Sequence, residues 1–333
     1  MITTEKYNEL LREYIETNPV NNTAKAYLYD ARLVEMQEDD GCTLIEFDAD
    51  DIAELLLDRM QIQSVTTFQA VRGAYSKFFD WLLAKGIVSI NPCLQLPLSL
   101  ETFTNYLSYN EALKPLTYEE ICNAIDLNAD NKHYFNIVFL SIYEGVFSSY
   151  KQLAGLKFDD VDFDAGIIHT KNGDKVPSKR LLDSIKNIKN EREFVFKYRT
   201  GTLIFVDSGV IPYIYINKKD IVDFSSKEEA EHRIHKSIHK QTKRFNERWG
   251  TDLTQQRLWE SGIINRVIAE LGEEEFVEMM LNPTTDKDEH ERLNAVLNSI
   301  QGWGFDNKLA IDKFKTNYRY HAVRLKRELC SQN

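Results

Sequence analysis

No stretch of this 333-residue sequence approaches the ~20 consecutive apolar residues that a helix needs to cross a bilayer. The opening residues, MITTEKYNELLREYIE, lack the basic-then-apolar order of a secretory signal, so a cytoplasmic location is expected. Cysteine is scarce and scattered. Cys42, Cys93, Cys122 and Cys330 form no Cys-x-x-Cys pair, which favours reduced thiols over a disulfide or zinc framework. With 7 Pro and 14 Gly, collagen-like and low-complexity classes are excluded. No Gly-rich phosphate loop occurs, so no nucleotide cofactor is expected. Positive charge is in deficit, 41 basic against 52 acidic residues, for a net charge of −11. Taken whole, that balance argues against a nucleic-acid partner. What remains is the composition of a soluble globular protein, long enough for two domains.

The charge is unevenly placed. Residues 1–113 hold 18 acidic and 8 basic groups, whereas residues 114–333 hold 34 and 33. Within the second part, residues 232–248 carry six basic groups and one acidic, 308–327 seven and one, and 171–197 eight and four. Residues 269–291 carry nine acidic groups and one Lys. A phosphate chain senses local field, not net charge. Any one basic stretch reads most simply as a solvated helix face; three in one domain make DNA contact a live expectation. It would come mainly from residues 114–333, leaving the acidic N-terminal domain to grip DNA weakly or to meet a protein partner.

Apolar periodicity predicts a helical N-terminal domain over residues 1–100. Its helices are placed around Tyr7–Ile15, from Thr23 (as N-cap) to Met36, from Asp50 to Met60, and from Ser64 to Lys85 with Gly86 as the C-cap glycine. Residues 101–115 read as a linker, since the stretch around Pro97 and Pro115 shows no periodicity. The second domain, 116–333, opens on a capping box with Thr117 as N-cap and Glu120 three residues on. Helices follow to about Leu127, from His133 to Glu144 and from Ser149 to Leu156. Short strands at Val161–Phe163, Gly166–Thr170 and Lys175–Pro177 surround a turn at Lys171–Asp174. Further strands are expected at Phe194–Tyr198, Leu203–Val206 and Tyr213–Ile216, and helix from Ser225 to the end.

The order of these pieces resembles the tyrosine recombinases, or phage integrases. FFDWLLAKGIVSINP resembles the end of their core-binding domain, KPLTYEEI the opening of their catalytic domain, and YEGVFSSYKQLAGLKFDDVDFDAGIIHTK the helix and hairpin that follow. The resemblance covers roughly residues 1–260. It implies a mainly α fold with a small β-sheet: a helical, SAM-like core-binding domain followed by a recombinase catalytic-type domain.

The family's reaction is attack of a tyrosine hydroxyl on a DNA phosphodiester. A phenol with a pKa near ~10 needs preorganised cations around the transition state. Residue by residue, the resemblance supplies these only in part. The first Arg position falls on Ser149, or on Phe147 in a second alignment, and the adjacent Glu position on Gln152. The hairpin Lys is matched by Lys171, with Lys175 as alternative. The His-x-x-Arg pair is matched by Thr254 and Arg257, so the Arg is retained and the His is not. His321 and Arg324 form a true His-x-x-Arg too close to the C-terminus to precede a nucleophile. Trp303 could hold the His/Trp position, although a core Trp is the simpler reading. Tyr320, or else Tyr318, could be the nucleophile at a longer spacing than the family's. Loss of one such donor typically costs about 10²–10³ in rate, so efficient cleavage is not expected.

The DNA-binding set is expected to be Lys171, Lys175, Arg233, Lys236, Lys240, Lys243, Arg244, Arg257 and Arg319. Arg233, Lys236, Lys240 and Lys243 fall on one helical face, with Ile234, Ile238 and Phe245 on another. His232, His235 and His239 have metal-like spacing, but no Cys or further His lies nearby in sequence and no metal is expected. The leading expectation is a sequence-specific double-stranded DNA-binding protein, a phage or mobile-element repressor or accessory factor. An active recombinase and a protein-interaction module are the alternatives. By the resemblance, the C-terminal segment could also pair copies of the chain into a homo-oligomer.

Overall fold

A computed structural model describes residues 2–188, 193–196, 199–204, 214–216, 227–282, 287–300 and 308–332. The chain divides into two units, Met1–Leu113 together with Asp312–Asn333, and Lys114–Ile311.

The first unit is helical: α1 (Thr4–Thr17), α2 (Asn22–Leu28), α3 (Ala31–Asp40), α4 (Ala49–Glu54), α5 (Val65–Ala84) and α6 (Leu100–Tyr109). Tyr7, Leu10, Leu11 and Tyr14 of α1 join Phe68, Val71, Tyr75, Phe78 and Phe79 of α5 in its core. Ser64 caps α5 through the Thr67 N–H, and Gly86 (φ 69°) closes it with bonds from Gly86 N to Leu83 O and Ile87 N to Leu82 O. Two expectations are corrected. The single helix over 23–36 is two, because Asp30 leaves the helix to accept from the Arg32 N–H and pair with the Arg32 guanidinium; Asn21, not Thr23, is the first N-cap. The expected linker 101–115 is largely α6. Its Leu100, Phe103, Thr104 and Leu107 do follow helical spacing, Ser99 caps it, and Phe103 stacks on Phe68 at 4.0 Å. The nearby prolines obscured that short period.

The second unit contains α7 (Tyr118–Asn128), α8 (Lys132–Tyr143), α9 (Tyr150–Leu153), β1 (Val161–Asp162), β2 (Ile167–Thr170), β3 (Gly173–Lys175), α10 (Lys179–Asn187), β4 (Glu193–Phe196), β5 (Arg199–Ile204), β6 (Ile214–Ile216), α11 (Lys227–Trp249), α12 (Gln255–Leu271), α13 (Glu273–Leu281) and α14 (Lys287–Ser299). Both sheets, β1-β2-β3 and β4-β5-β6, are antiparallel meanders. Thr117 and Glu120 form the expected capping box on α7. Helix α8 is buried on every side, as its continuous apolar run requires. It packs against α12 so closely that Gly262 lies directly on the Tyr143 carbonyl. Of the acidic segment 269–291, the described residues form the end of α12, α13 and the start of α14, anchored by Phe276, Met279, Met280 and Leu293. Arg292 pairs there with Glu275 at 2.7 Å.

The last helix, α15 (Lys308–Gln332), departs from the expected boundary. From Asp312 onward it belongs to the first unit, not the second. The physical reason is twofold. Tyr320 joins the first unit's apolar core. Arg324, only 3% exposed, donates through Nε to Ser108 O (2.9 Å) and through Nη2 to Asn110 O (2.5 Å). Arg327 donates to Ser108 O at 2.9 Å, and its guanidinium lies 3.8 Å from the Tyr109 ring centre. These carbonyls end α6, where orphan acceptors and the negative end of the helix dipole favour a cation. Residues 312–333 carry six basic and two acidic groups, so a basic helix covers part of an acidic unit. Arg324→Ala should lower unfolding stability by about 2–4 kcal/mol, because the half-buried Asn110 carbonyl loses its donor, the buried Ser108 carbonyl keeps only Arg327, and a buried side chain is removed. Arg327→Ala should cost about 1 kcal/mol. Urea unfolding of both variants checks the order.

Candidate nucleic-acid interface

In the second unit the fold brings together two positions far apart in sequence. Ser149 caps α9, accepting from Gln152 N at 3.3 Å, and Thr254 caps α12, accepting from Arg257 N at 3.3 Å. The Tyr150 N–H donates to Gln255 Oε1 at 2.8 Å, so the two helix starts adjoin. The hydroxyls of Ser149 and Thr254 thus serve as caps, where the family's pattern would place an Arg and a His. Phe147, the second alignment's choice for that Arg, is buried. Gln152 accepts through Oε1 from the Ser148 N–H and hydroxyl, both at 3.0 Å.

Arg257 is the cation at this junction, and it is already engaged. Its Nη1 bonds Asp252 at 2.9 Å and its Nη2 bonds Lys114 O at 3.4 Å, with the side chain 21% exposed. Lys171 stands exposed in the two-residue turn between β2 and β3, and Lys175 is half-buried at the end of β3. Thr170 tightens that turn, its Oγ1 donating to Gly173 O and accepting from Asn172 N. Beside it, Asp174 bonds His169 Nδ1 at 2.7 Å and raises the His169 pKa.

Helix α11 divides by face. Ile234, Ile238, Gln241, Thr242 and Phe245 are buried, with Phe245 against Phe135 and Phe139 of α8. Thr242 Oγ1 reaches the Tyr150 hydroxyl at 3.4 Å, tying α11 to α9. On the opposite face Lys236, Lys240, Lys243 and Arg244 are exposed. Arg233 pairs with Glu229 at 2.6 Å and Lys243 with Glu247 at 3.6 Å. Lys236 and Lys240 have no ion-pair partner among the described residues. Burial first, then His239, His232 and Lys151, lower the His235 pKa.

The nucleophile candidates are both on α15. Tyr318 is 8% and Tyr320 6% exposed, both on the part of α15 that belongs to the first unit. The Tyr320 ring lies 4.1 Å from that of His321, whose pKa burial and Arg324 push down to about 3. Arg319 is exposed on the same helix. Trp303 lies outside the described residues.

One cluster was not expected from the sequence. Glu144, at the end of α8, accepts from the Ser178 N–H (2.7 Å) and hydroxyl (2.6 Å) at the start of α10, and burial raises its pKa. Arg266 of α12 donates to Glu144 O at 2.6 Å and Gly262 O at 2.8 Å, its pKa lowered by burial to about 10. Asn265 bonds Leu116 O and the Tyr143 hydroxyl. This polar seam fixes the α8–α12 approach on which the position of Arg257 depends. The mid-helix glycine in Glu-Ser-Gly-Ile-Ile-Asn-Arg was its one sequence signal.

No protein-family model matches the chain, and no curated protein matches it. Among solved structures it is similar to a fragment of the Tn1549 transposon integrase in complex with circular-intermediate DNA, at 15% identity over 94% of each chain and a TM-score of 0.38. It is also similar to XerA recombinase, at 14% identity over 96% of this chain and 98% of that one, with a TM-score of 0.34. No helix among the described residues is long and apolar enough to cross a membrane.

Proposed function

We propose that the protein binds double-stranded DNA sequence-specifically through its second unit, does not cleave it, and serves a phage or mobile element as a transcriptional repressor or accessory factor. The observation that carries this reading is the exposed basic face of α11. Lys236, Lys240 and Lys243 stand side by side on a helix whose other face is locked into the core. Such a helix holds cations in fixed register with phosphates, and the exposed Lys171 and Arg244 add to it. Cleavage is disfavoured by the residues at the junction. Ser149 and Thr254 offer no cation, Arg257 is held by Asp252, and the candidate tyrosines are buried in the first unit. A homo-oligomer through α15 and a protein partner for the first unit stay within this proposal.

The second reading, an active recombinase, draws on one observation: the fold does juxtapose Ser149 with the start of α12, as a catalytic junction would require. The two readings part on a nicked suicide substrate made from the protein's own operator or attachment DNA. No covalent adduct is expected. An adduct abolished by Tyr320→Phe would sink the proposal.

Gel shifts over a salt series test DNA binding itself. Lys236→Glu with Lys240→Glu should weaken binding by about 10–100-fold on every sequence and flatten the salt slope by about 2 or more. Failure to shift any fragment of the element's genome would instead favour a protein-interaction module.

A further inference from the structure

On α11, His235 and His239 lie one turn apart with their Nε2 atoms 3.0 Å from each other. Their rings meet edge to face at 80°, with 4.7 Å between centroids. The Tyr150 ring stands against His239 at 5.1 Å and 75°. Tyr150 is itself buried and hydrogen-bonded to Thr242, which gives the pair one fixed wall. We propose that His235 and His239 form a binding site for a single divalent transition-metal ion of the Cu²⁺ or Ni²⁺ type, held by two adjacent imidazole nitrogens and completed by water.

The spacing is compatible with such an ion. With metal–nitrogen bonds of about 2.0–2.1 Å, a 3.0 Å separation subtends about 91–97° at the ion. That is the angle between neighbouring ligands in square-planar or octahedral coordination, the preference of Cu²⁺ and Ni²⁺. A tetrahedral Zn²⁺ would need the nitrogens about 3.3–3.4 Å apart. A closed structural zinc site also needs four protein ligands, and no group of three His, Cys, Asp or Glu gathers among the described residues. Without metal, the same distance is a hydrogen bond, one ring's Nε2–H donating to the other's lone pair. Ligation moves that proton to Nδ1 of its own ring, a tautomer change with no net gain or loss of charge. The site borders the lysine face of α11, yet the proposal does not depend on DNA binding.

The test uses the untagged full-length protein and CuCl₂ alone. Calorimetric titration should show one Cu²⁺ per chain, with affinity reduced at least about tenfold in His235→Ala and in His239→Ala but unchanged in His232→Ala. At one equivalent, electron paramagnetic resonance should show splitting from two equatorial nitrogens in the wild type and fewer in each ligand variant. Equal binding by the wild type and both ligand variants, absence of stoichiometric binding, or an equal loss in His232→Ala would overturn the assignment.

Discussion

Gly262→Ala should cost the second unit at least about 4 kcal/mol, enough to leave much of the protein unfolded. A helix-interior Gly→Ala change normally stabilises by about 0.5–1 kcal/mol, because glycine gives up more backbone freedom on folding. Here sterics reverse the sign. A Cβ at position 262 would lie 1.8 Å from the Tyr143 carbonyl oxygen and 2.8 Å from its carbon. Neither atom belongs to a flexible side chain, so α8 and α12 would have to separate. Helix α8 is enclosed on all sides, and separation would also break the bonds from Arg266 to Glu144 and from Asn265 to Tyr143. Gly73, inside α5 with nothing within 4 Å of its would-be Cβ, supplies the matched control. Gly73→Ala should stabilise by about 0.5–1 kcal/mol. Urea unfolding of the pair decides: similar midpoints for both variants would mean that the close approach does not limit stability. DNA affinity is the secondary readout, since α12 carries Arg257 and its capping Thr254.

The two units differed in how much of them the sequence made legible. Helices α1, α5, α7 and α8 could be read because their apolar spacing is strong and their caps are local: Ser64 on α5, Thr117 with Glu120 on α7. The failures are equally local in origin. Asp30 splits an apparently continuous helix by preferring a capping bond to its own chain. Helix α6 hides between prolines, since ten residues hold too few periods to stand out. The destination of α15 was illegible for another reason. Its basic residues suggested an exposed or DNA-facing helix, whereas Arg324 and Arg327 are spent on the carbonyls ending α6. That pairing is between residues more than two hundred positions apart and leaves no spacing signal. At the candidate interface, the α11 stripe was readable from periodicity alone. The adjacency of Ser149 and Gln255, and the Asp252 hold on Arg257, are tertiary and were not.

Acidification should weaken the first unit through His321, by about 3 kcal/mol between pH 7 and pH 4. The ring is buried, its Nδ1 has no hydrogen-bond partner, and Arg324 stands one turn away, so the folded state resists protonation down to about pH 3. In the unfolded chain the same group takes a proton near pH 6.5. Below that pH the unfolded state binds more protons than the folded one, so stability falls as pH falls. The contribution is intact above pH 6.5 and is lost at about 1.4 kcal/mol per pH unit down to about pH 3. Two half-buried carboxyls of the second unit, Glu144 and Glu260, have pKa values raised by desolvation and act in the opposite direction. A bulk acid titration would therefore blur the effect, and the comparison has to be made with His321→Phe, which keeps a ring in the site and removes the titration. Urea unfolding across pH 4–7 should show the wild type losing stability relative to His321→Phe by about 3 kcal/mol at the acid end. Hydrogen exchange in α15 and α6 should accelerate with it, beyond the intrinsic pH effect. Parallel pH profiles for the two proteins would mean that His321 protonates without disturbing the fold. A loss confined to the wild type would show that the helix bearing Tyr318 and Tyr320 is held by a contact that acid can release.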